Sequence, residues 1–225
     1  MRGIFITGTG TDIGKTYVSA ALCRALRKES LNLAYYKAAV SGADSIETSD
    51  AGYVRDQANI EQETNSLVSF LYKHPLSPHL AARVEYKFPS LSKIKADFEA
   101  LASKYDYVLV EGAGGIICPV LWEGNAHIMY TDIIKALNLN VIVTADAGLG
   151  TINNTVLTIN YLNDLNIKVK GVILNRFDEN SLMHKDNLYM IEAISKVPVI
   201  ATLANNARDL VFLKQKAEAY FDECR

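Results

Sequence analysis

The densest chemical signal lies near the start of the chain, where Gly8 to Thr16 read GTGTDIGKT directly after the apolar run Gly3-Ile4-Phe5-Ile6. A glycine-bearing loop ending in Gly-Lys-Thr between a buried strand and a helix is a phosphate cradle. Its backbone N–H groups point inward at phosphate oxygens, and the helix that follows adds its positive end. Lys15 would reach toward the β- and γ-phosphates, and the Thr16 hydroxyl would ligate Mg²⁺. The loop is a variant: the usual first glycine position holds Thr9, with glycines on either side at Gly8 and Gly10. The context supports the phosphate reading over a plain turn with a surface lysine. A strand precedes the loop, and Val18, Ala21, Leu22, Ala25 and Leu26 after it share one helical face.

Other polar residues leave apolar runs at places where they could meet the same ligand. Glu111 follows Tyr107-Val108-Leu109-Val110 and opens Gly112-Ala113-Gly114-Gly115. A carboxylate there suits Mg²⁺, directly or through water, or else caps a helix; beside a phosphate loop the metal reading is preferred. Lys37 leaves the second strand, where it can neutralise phosphoryl or carboxylate charge or can snorkel at a sheet edge. Asp50, after Ser49, is either a second metal carboxylate or a helix cap. Asn175 ends a strand, and its amide suits an adenine edge or an ordinary turn. Gly148-Leu149-Gly150-Thr151-Ile152-Asn153 opens another helix, anion-friendly or simply capped.

These residues need a frame to bring them together. Strand-like runs at Gly3–Thr7, Leu33–Tyr36, Tyr107–Val110, Val141–Thr144, Val169–Leu174 and Val197–Ala201 alternate with helical patterns. The helical patterns are Lys15–Lys28, Ser49–Asn59, Ser92–Ser103, Tyr130–Leu137, Ile152–Leu165, Met183–Ser195 and Asp209–Ala219. The alternation predicts one α/β domain over 1–225, a doubly wound, mainly parallel sheet flanked by helices, with ligands at the carboxyl ends of the strands. The stretch Ala39–Pro89 is the least regular, and is either a substrate-holding insertion or plain connection. A formal net charge of −2 carries no basic field for nucleic acid or acidic membrane, and no apolar run is long enough to span a bilayer. The apolar start holds the phosphate loop and so is not read as a cleaved leader, which makes the cytoplasm the expected location. Cys23 and Cys118 read as inert core thiols and Cys224 as an exposed one; His74, His79, His127 and His184 lack metal spacing, with His79 noted for its place in the insertion.

Taken together, GTGTDIGKT (8–16), YKAAVSG (36–42), SD (49–50), LSPHLAA (76–82), VEGAGG (110–115), GLGTINN (148–154) and the strand ending LN (174–175) resemble dethiobiotin synthetases. These are P-loop NTPase-like enzymes. The resemblance implies ATP-dependent carboxylation of 7,8-diaminopelargonic acid (7,8-diaminononanoate) with CO₂ and closure of a cyclic urea. The path runs through a carbamate and a carbamic–phosphoric anhydride, and dethiobiotin, ADP and phosphate are released. It implies that Lys15, Lys37, Thr11 and Ser41 serve catalysis and that Thr16, Asp50 and Glu111 ligate Mg²⁺. ATP would be held by Asp12, Ile13, Gly14, Lys15, Thr16, Tyr17, Glu111 and Asn175. The substrate would meet Thr11, Lys37, Ser41 and Gly112. In the family two subunits pair, so Gly150, Thr151, Ile152 and Asn153 would receive its carboxylate from across a homodimer interface.

The chain departs from the family pattern in places. Ala38 stands where proline usually follows the lysine, Gly10 where an acid is common, and Asn154 where histidine is common. Ala145-Asp146 lacks a frequent basic residue, and Ala201-Thr202-Leu203-Ala204 lacks the usual Gly-x-Ile-Pro turn beside the base. Two rivals share the fold. Amide ligases of the cobyrinic-acid type normally add a glutaminase domain with a cysteine nucleophile, for which there is no room. Nucleotide-switched partitioning ATPases carry a signature lysine before the paired glycines, and no lysine lies between Arg2 and Lys15. A regulatory domain that had lost the chemistry would not be expected to retain Lys15, Thr16, Lys37, Asp50 and Glu111 together.

Overall fold

The computed structural model describes residues 1–224. Along the chain run β1 (Arg2–Gly8), α1 (Lys15–Lys28), β2 (Leu33–Ser41), α2 (Asp50–Ala58), β3 (Val68–Tyr72), α3 (Pro78–Val84) and α4 (Leu91–Ala102). Then come β4 (Tyr107–Glu111), β5 (Pro119–Glu123), β6 (Ala126–Met129), α5 (Tyr130–Ala136), β7 (Val141–Asp146), α6 (Thr151–Asp164) and β8 (Val169–Asn175). The chain closes with α7 (Leu182–Ser195), β9 (Val199–Leu203), β10 (Val211–Phe212) and β11 (Asp222–Glu223). The main sheet runs β10-β9-β8-β7-β1-β4-β2-β3. Its pairings from β9 to β3 are all parallel, as βαβ connections require.

Alternation along each strand divides the apolar residues between two faces. Ile4 and Ile6 of β1 pack with Leu22 and Leu26 of α1 and Val54 of α2, whereas Phe5 packs on the other face with Phe98 of α4 and Ile133 of α5. Both faces are covered, which is why the strands read as continuous apolar runs. The same alternation positions the chemistry. Tyr35 of β2 and Leu109 of β4 belong to the α1 face, so Lys37 and Glu111, two residues on from each, point to that face as well. They are also direct register partners across the parallel pair.

Four sequence expectations are corrected. The second strand does not stop at Tyr36; it continues to Ser41, so Lys37 is an interior strand residue. The irregular stretch supplies β3, which pairs with β2 as the edge strand, and α3. The expected helix over Asp209–Ala219 does not form. Val211–Phe212 instead lie antiparallel on β9, Ala217–Tyr220 make a 3₁₀ turn, and β11 pairs with the start of β1. Leu210 and Phe212 pack inward while Val211 is exposed, a period of two satisfied by a neighbouring strand. Lastly, Cys224 is half-buried beside Gly3 rather than exposed.

Candidate active site

A cavity of about 460 Å³ opens over the carboxyl ends of β1, β2 and β4. Thr11, Asp12, Gly14, Lys15 and Thr16 from the loop after β1 line it, with Lys37 and Ser41 from β2, Asp50 from α2 and Glu111 from β4. The phosphate-loop residues, the strand lysine and both carboxylates thus face one space.

Gly14 makes the entry to α1 with φ of +88°, a left-handed conformation that favours glycine. Lys15 follows as the first helical residue and is buried. Its Nζ donates to the Gly10 carbonyl at 2.8 Å, folded back over the loop. Burial lowers its pKa below the usual lysine range, a shift that Glu111 opposes.

The centre of the polar network is Glu111, fully buried. Its Oε1 accepts from Thr16 Oγ1 at 2.8 Å and from Lys37 Nζ at 3.0 Å, and its Oε2 accepts from Tyr35 Oη at 2.9 Å. Lys37 Nζ also donates to Asp50 Oδ2 at 2.6 Å. Burial disfavours the Lys37 ammonium, but Glu111 and Asp50 outweigh it and hold the pKa above the ordinary lysine value. Burial likewise disfavours the Asp50 carboxylate, yet Lys37 and Thr16 keep its pKa below the usual range. The site therefore stores a permanent ammonium between two carboxylates. Ser49, not Asp50, caps α2: its hydroxyl accepts from the Ala51 N–H at 3.1 Å, which leaves the Asp50 carboxylate for the cavity.

Among the described residues no three His, Cys, Asp or Glu side chains form a metal cage. Mg²⁺ does not require one, because it is held by one or two carboxylates together with phosphates and water. Thr16, Asp50 and Glu111 offer only oxygen donors to the cavity, a donor set that fits this ion.

The other expected residues are distributed differently. Ser41 lines the cavity, and its buried hydroxyl has no partner among the described residues. Gly112 is buried outside the lining, and its N–H donates to the Ile6 carbonyl at 3.0 Å. Gly150, Thr151, Ile152 and Asn153 begin α6 outside this cavity, with Leu149 beside them 94% exposed. Ile13 and Tyr17 are half-buried, and neither lines the cavity. Asn175 is buried against the loop, with Nδ2 donating to the Ile13 carbonyl at 2.8 Å. Next to it, a second cavity of about 640 Å³ is bounded by Arg176, Phe177, Ala204, Asn205 and Leu213.

Three further contributors complete the site, and the first two carry no motif in the sequence. Tyr35 looked like core, and only its terminal oxygen reaches the site. Cys118, expected in the core, instead forms cavity wall, its pKa raised by burial against the pull of Lys15. Pro75, Leu76, Ser77 and Pro78 close the outer side, so the insertion is more than connection. The histidines stay outside: His74 pairs with Glu85, His127 stacks on Trp122, His184 accepts from the Asp178 N–H, and the buried His79 Nδ1 has no partner.

A parallel sheet with a Gly-Lys-Thr loop at the end of its central strand defines a P-loop nucleotide-binding protein. Solved structures agree on the fold. A ParA family ATPase from Chlorobium tepidum matches with a TM-score of 0.58 at 14% identity, over 91% of this chain and 85% of that one. The MinC:MinD complex from Aquifex aeolicus matches with a TM-score of 0.57 at 16% identity, over 91% and 81%. A family model described as an AAA domain matches residues 2–209. Sequence relatives are nearer. The ATP-dependent dethiobiotin synthetase BioD of Brachyspira hyodysenteriae is 51% identical over 88% of this chain and 90% of its own. That of Clostridium botulinum strain Loch Maree is 43% identical over 99% of both. The chain belongs to the ATP-dependent dethiobiotin synthetase family.

Proposed function

We propose that the cavity between the phosphate loop and β2 is where ATP-dependent formation of dethiobiotin takes place, with 7,8-diaminononanoate and CO₂ as co-substrates. The observation that carries this reading is the buried Lys37 ammonium, facing the same space as Lys15 and held between Asp50 and Glu111. Carbamate and triphosphate are both anionic, and they meet only where cations are fixed in advance.

One amine of the substrate adds CO₂ and loses a proton to give the carbamate. The carbamate oxygen attacks the γ-phosphorus as the bond to ADP breaks, giving the mixed anhydride. The second amine attacks the carbamoyl carbon and gives up a proton, the carbon–oxygen bond to phosphate breaks, and the cyclic urea is closed with phosphate released. Lys15 neutralises the phosphoryl oxygens and Lys37 the carbamate. Ser41, with its unpartnered hydroxyl, and Thr11 orient the diamine and carbamate. Thr16, Asp50 and Glu111 would hold Mg²⁺, which supplies further neutralisation of the phosphates. The base would extend past Asn175 into the second cavity.

A homodimer completes this reading. Leu149 and Leu182 are 94% and 84% exposed at the starts of α6 and α7, apolar area that a second copy would cover. The Gly150–Asn153 helix start lies beside this surface and would meet the partner's substrate carboxylate. Among the described residues no helix is long and apolar enough to cross a membrane.

The test is phosphate release from ATP with bicarbonate, with and without the diamine. This reading expects release that requires the diamine and matches dethiobiotin formed. Hydrolysis indifferent to the diamine would overturn it in favour of a switch ATPase.

A further inference from the structure

Consecutive residues at the end of β8 each donate to a carbonyl of the phosphate loop. Asn175 Nδ2 donates to Ile13 O at 2.8 Å, and Arg176 Nη2 donates to Asp12 O at 2.8 Å. We propose that Asn175 and Arg176 are positioning residues that set the phosphate loop, and that Arg176 contributes to nucleotide binding through the loop alone.

A loop that binds anions through its N–H groups must turn its carbonyls the other way, because a carbonyl facing the phosphates would repel them. The carbonyls of Asp12 and Ile13 immediately precede Gly14 and the start of α1. Asp12 has φ of +58° and Gly14 φ of +88°, so the chain reverses sharply here and the direction of each peptide is decided locally. The two β8 donors hold both peptides in the outward direction. Asn175 is buried and packed so closely on Gly14 that a Cβ there would collide with Nδ2. Loop and amide are therefore fitted to each other.

Arg176 is built for the same task. It has φ of +55°, a left-handed conformation uncommon for a side chain of its size. Its other terminal nitrogen, Nη1, pairs with Asp146 Oδ2 at the end of β7. Asp146 Oδ1 in turn accepts from the Gly148 N–H at 2.8 Å. The guanidinium thus forks between the loop and a carboxylate that is itself fixed, a bridge that one ammonium does not reproduce.

The inference rests on the phosphate reading of the Gly8–Thr16 loop, and the experiment separates the two. ATP and inorganic tripolyphosphate are titrated calorimetrically into the full chain and into N175A, R176A, R176K and K15A. The wild-type chain should bind both ligands, and R176A should weaken both by the same factor, about tenfold for one lost hydrogen bond to the loop. R176K should lose nearly as much as R176A, and N175A should weaken tripolyphosphate binding by a similar factor. Arg176 is half-exposed, so its variants test the idea even if N175A fails to fold. Weaker ATP binding with unchanged tripolyphosphate binding would overturn the proposal in favour of contacts to the nucleoside. Full affinity in R176K would reduce Arg176 to a nearby positive charge and overturn its positioning role. If K15A binds both ligands as the wild type does, the phosphate reading itself fails.

Discussion

At the scale of single residues, the Glu111 carboxylate organises the site, because Thr16, Lys37 and Tyr35 all spend their hydrogen bonds on it. Tyr35→Phe keeps the packing and removes one donor from a fully buried charge. It should cost about 1.5–3 kcal/mol in urea unfolding; an unchanged midpoint would show that Oε2 had found another partner. The Asp50 carboxyl pKa is depressed, so its contribution to stability is present above the unfolded value of 3.8 and is lost as pH falls through the lower folded value. Because Asp50 is half-exposed, solvent screens part of that gain. Asp50→Asn should therefore melt below the wild type at pH 6, and the gap should narrow progressively as pH falls below about 3.8. A gap that stayed constant down to pH 2.5 would contradict the ion pair. Lys15, Thr16 and Glu111 were legible in the sequence, since glycine punctuation and strand ends mark them. Tyr35 was not: a tyrosine inside an apolar run reads as core, and only the folded register reveals its hydroxyl beside Glu111.

At the scale of elements, the site is delivered by β1, β2 and β4 toward their carboxyl ends, by the starts of α1 and α2, and by the loops around them. The α1 helix was legible over its full span because its apolar spacing follows directly on the Gly-Lys-Thr turn. Strand β2 was read too short, because a lysine in an apolar run looks like an exit; its charge is tolerated inside the strand by the carboxylates across from it. The chain after Asp209 was misread because its apolar residues, Leu210, Leu213 and Ala217, also fit helical spacing. Pairing with β9, which is remote in sequence, decided the matter. Helix α2 depends on its cap. Ser49→Ala removes the acceptor for the Ala51 N–H and should cost about 1 kcal/mol in thermal or urea unfolding. Turnover should fall with it, because Asp50 is the first residue of that helix. Undiminished stability would mean that the cap is replaced by water.

For the whole molecule, the parallel sheet sets every site residue at one edge, while the α6–α7 side leaves apolar area uncovered. Leu182→Asp in that area should shift the mass seen by light scattering from dimer to monomer, and turnover should drop as the Gly150–Asn153 helix start loses its partner's substrate. A monomeric wild-type chain with full activity would contradict the paired arrangement. The proposed pairing comes from the family resemblance, because no local pattern in one chain encodes a partner. The most direct test of the central claim, that Lys15 and Lys37 serve one cavity in different roles, is Lys37→Met, assayed for ATP binding by calorimetry and for turnover in the same preparation. The account predicts turnover reduced by about 10²-fold or more with ATP affinity nearly unchanged. Equal loss of both, or turnover that survives, would contradict it.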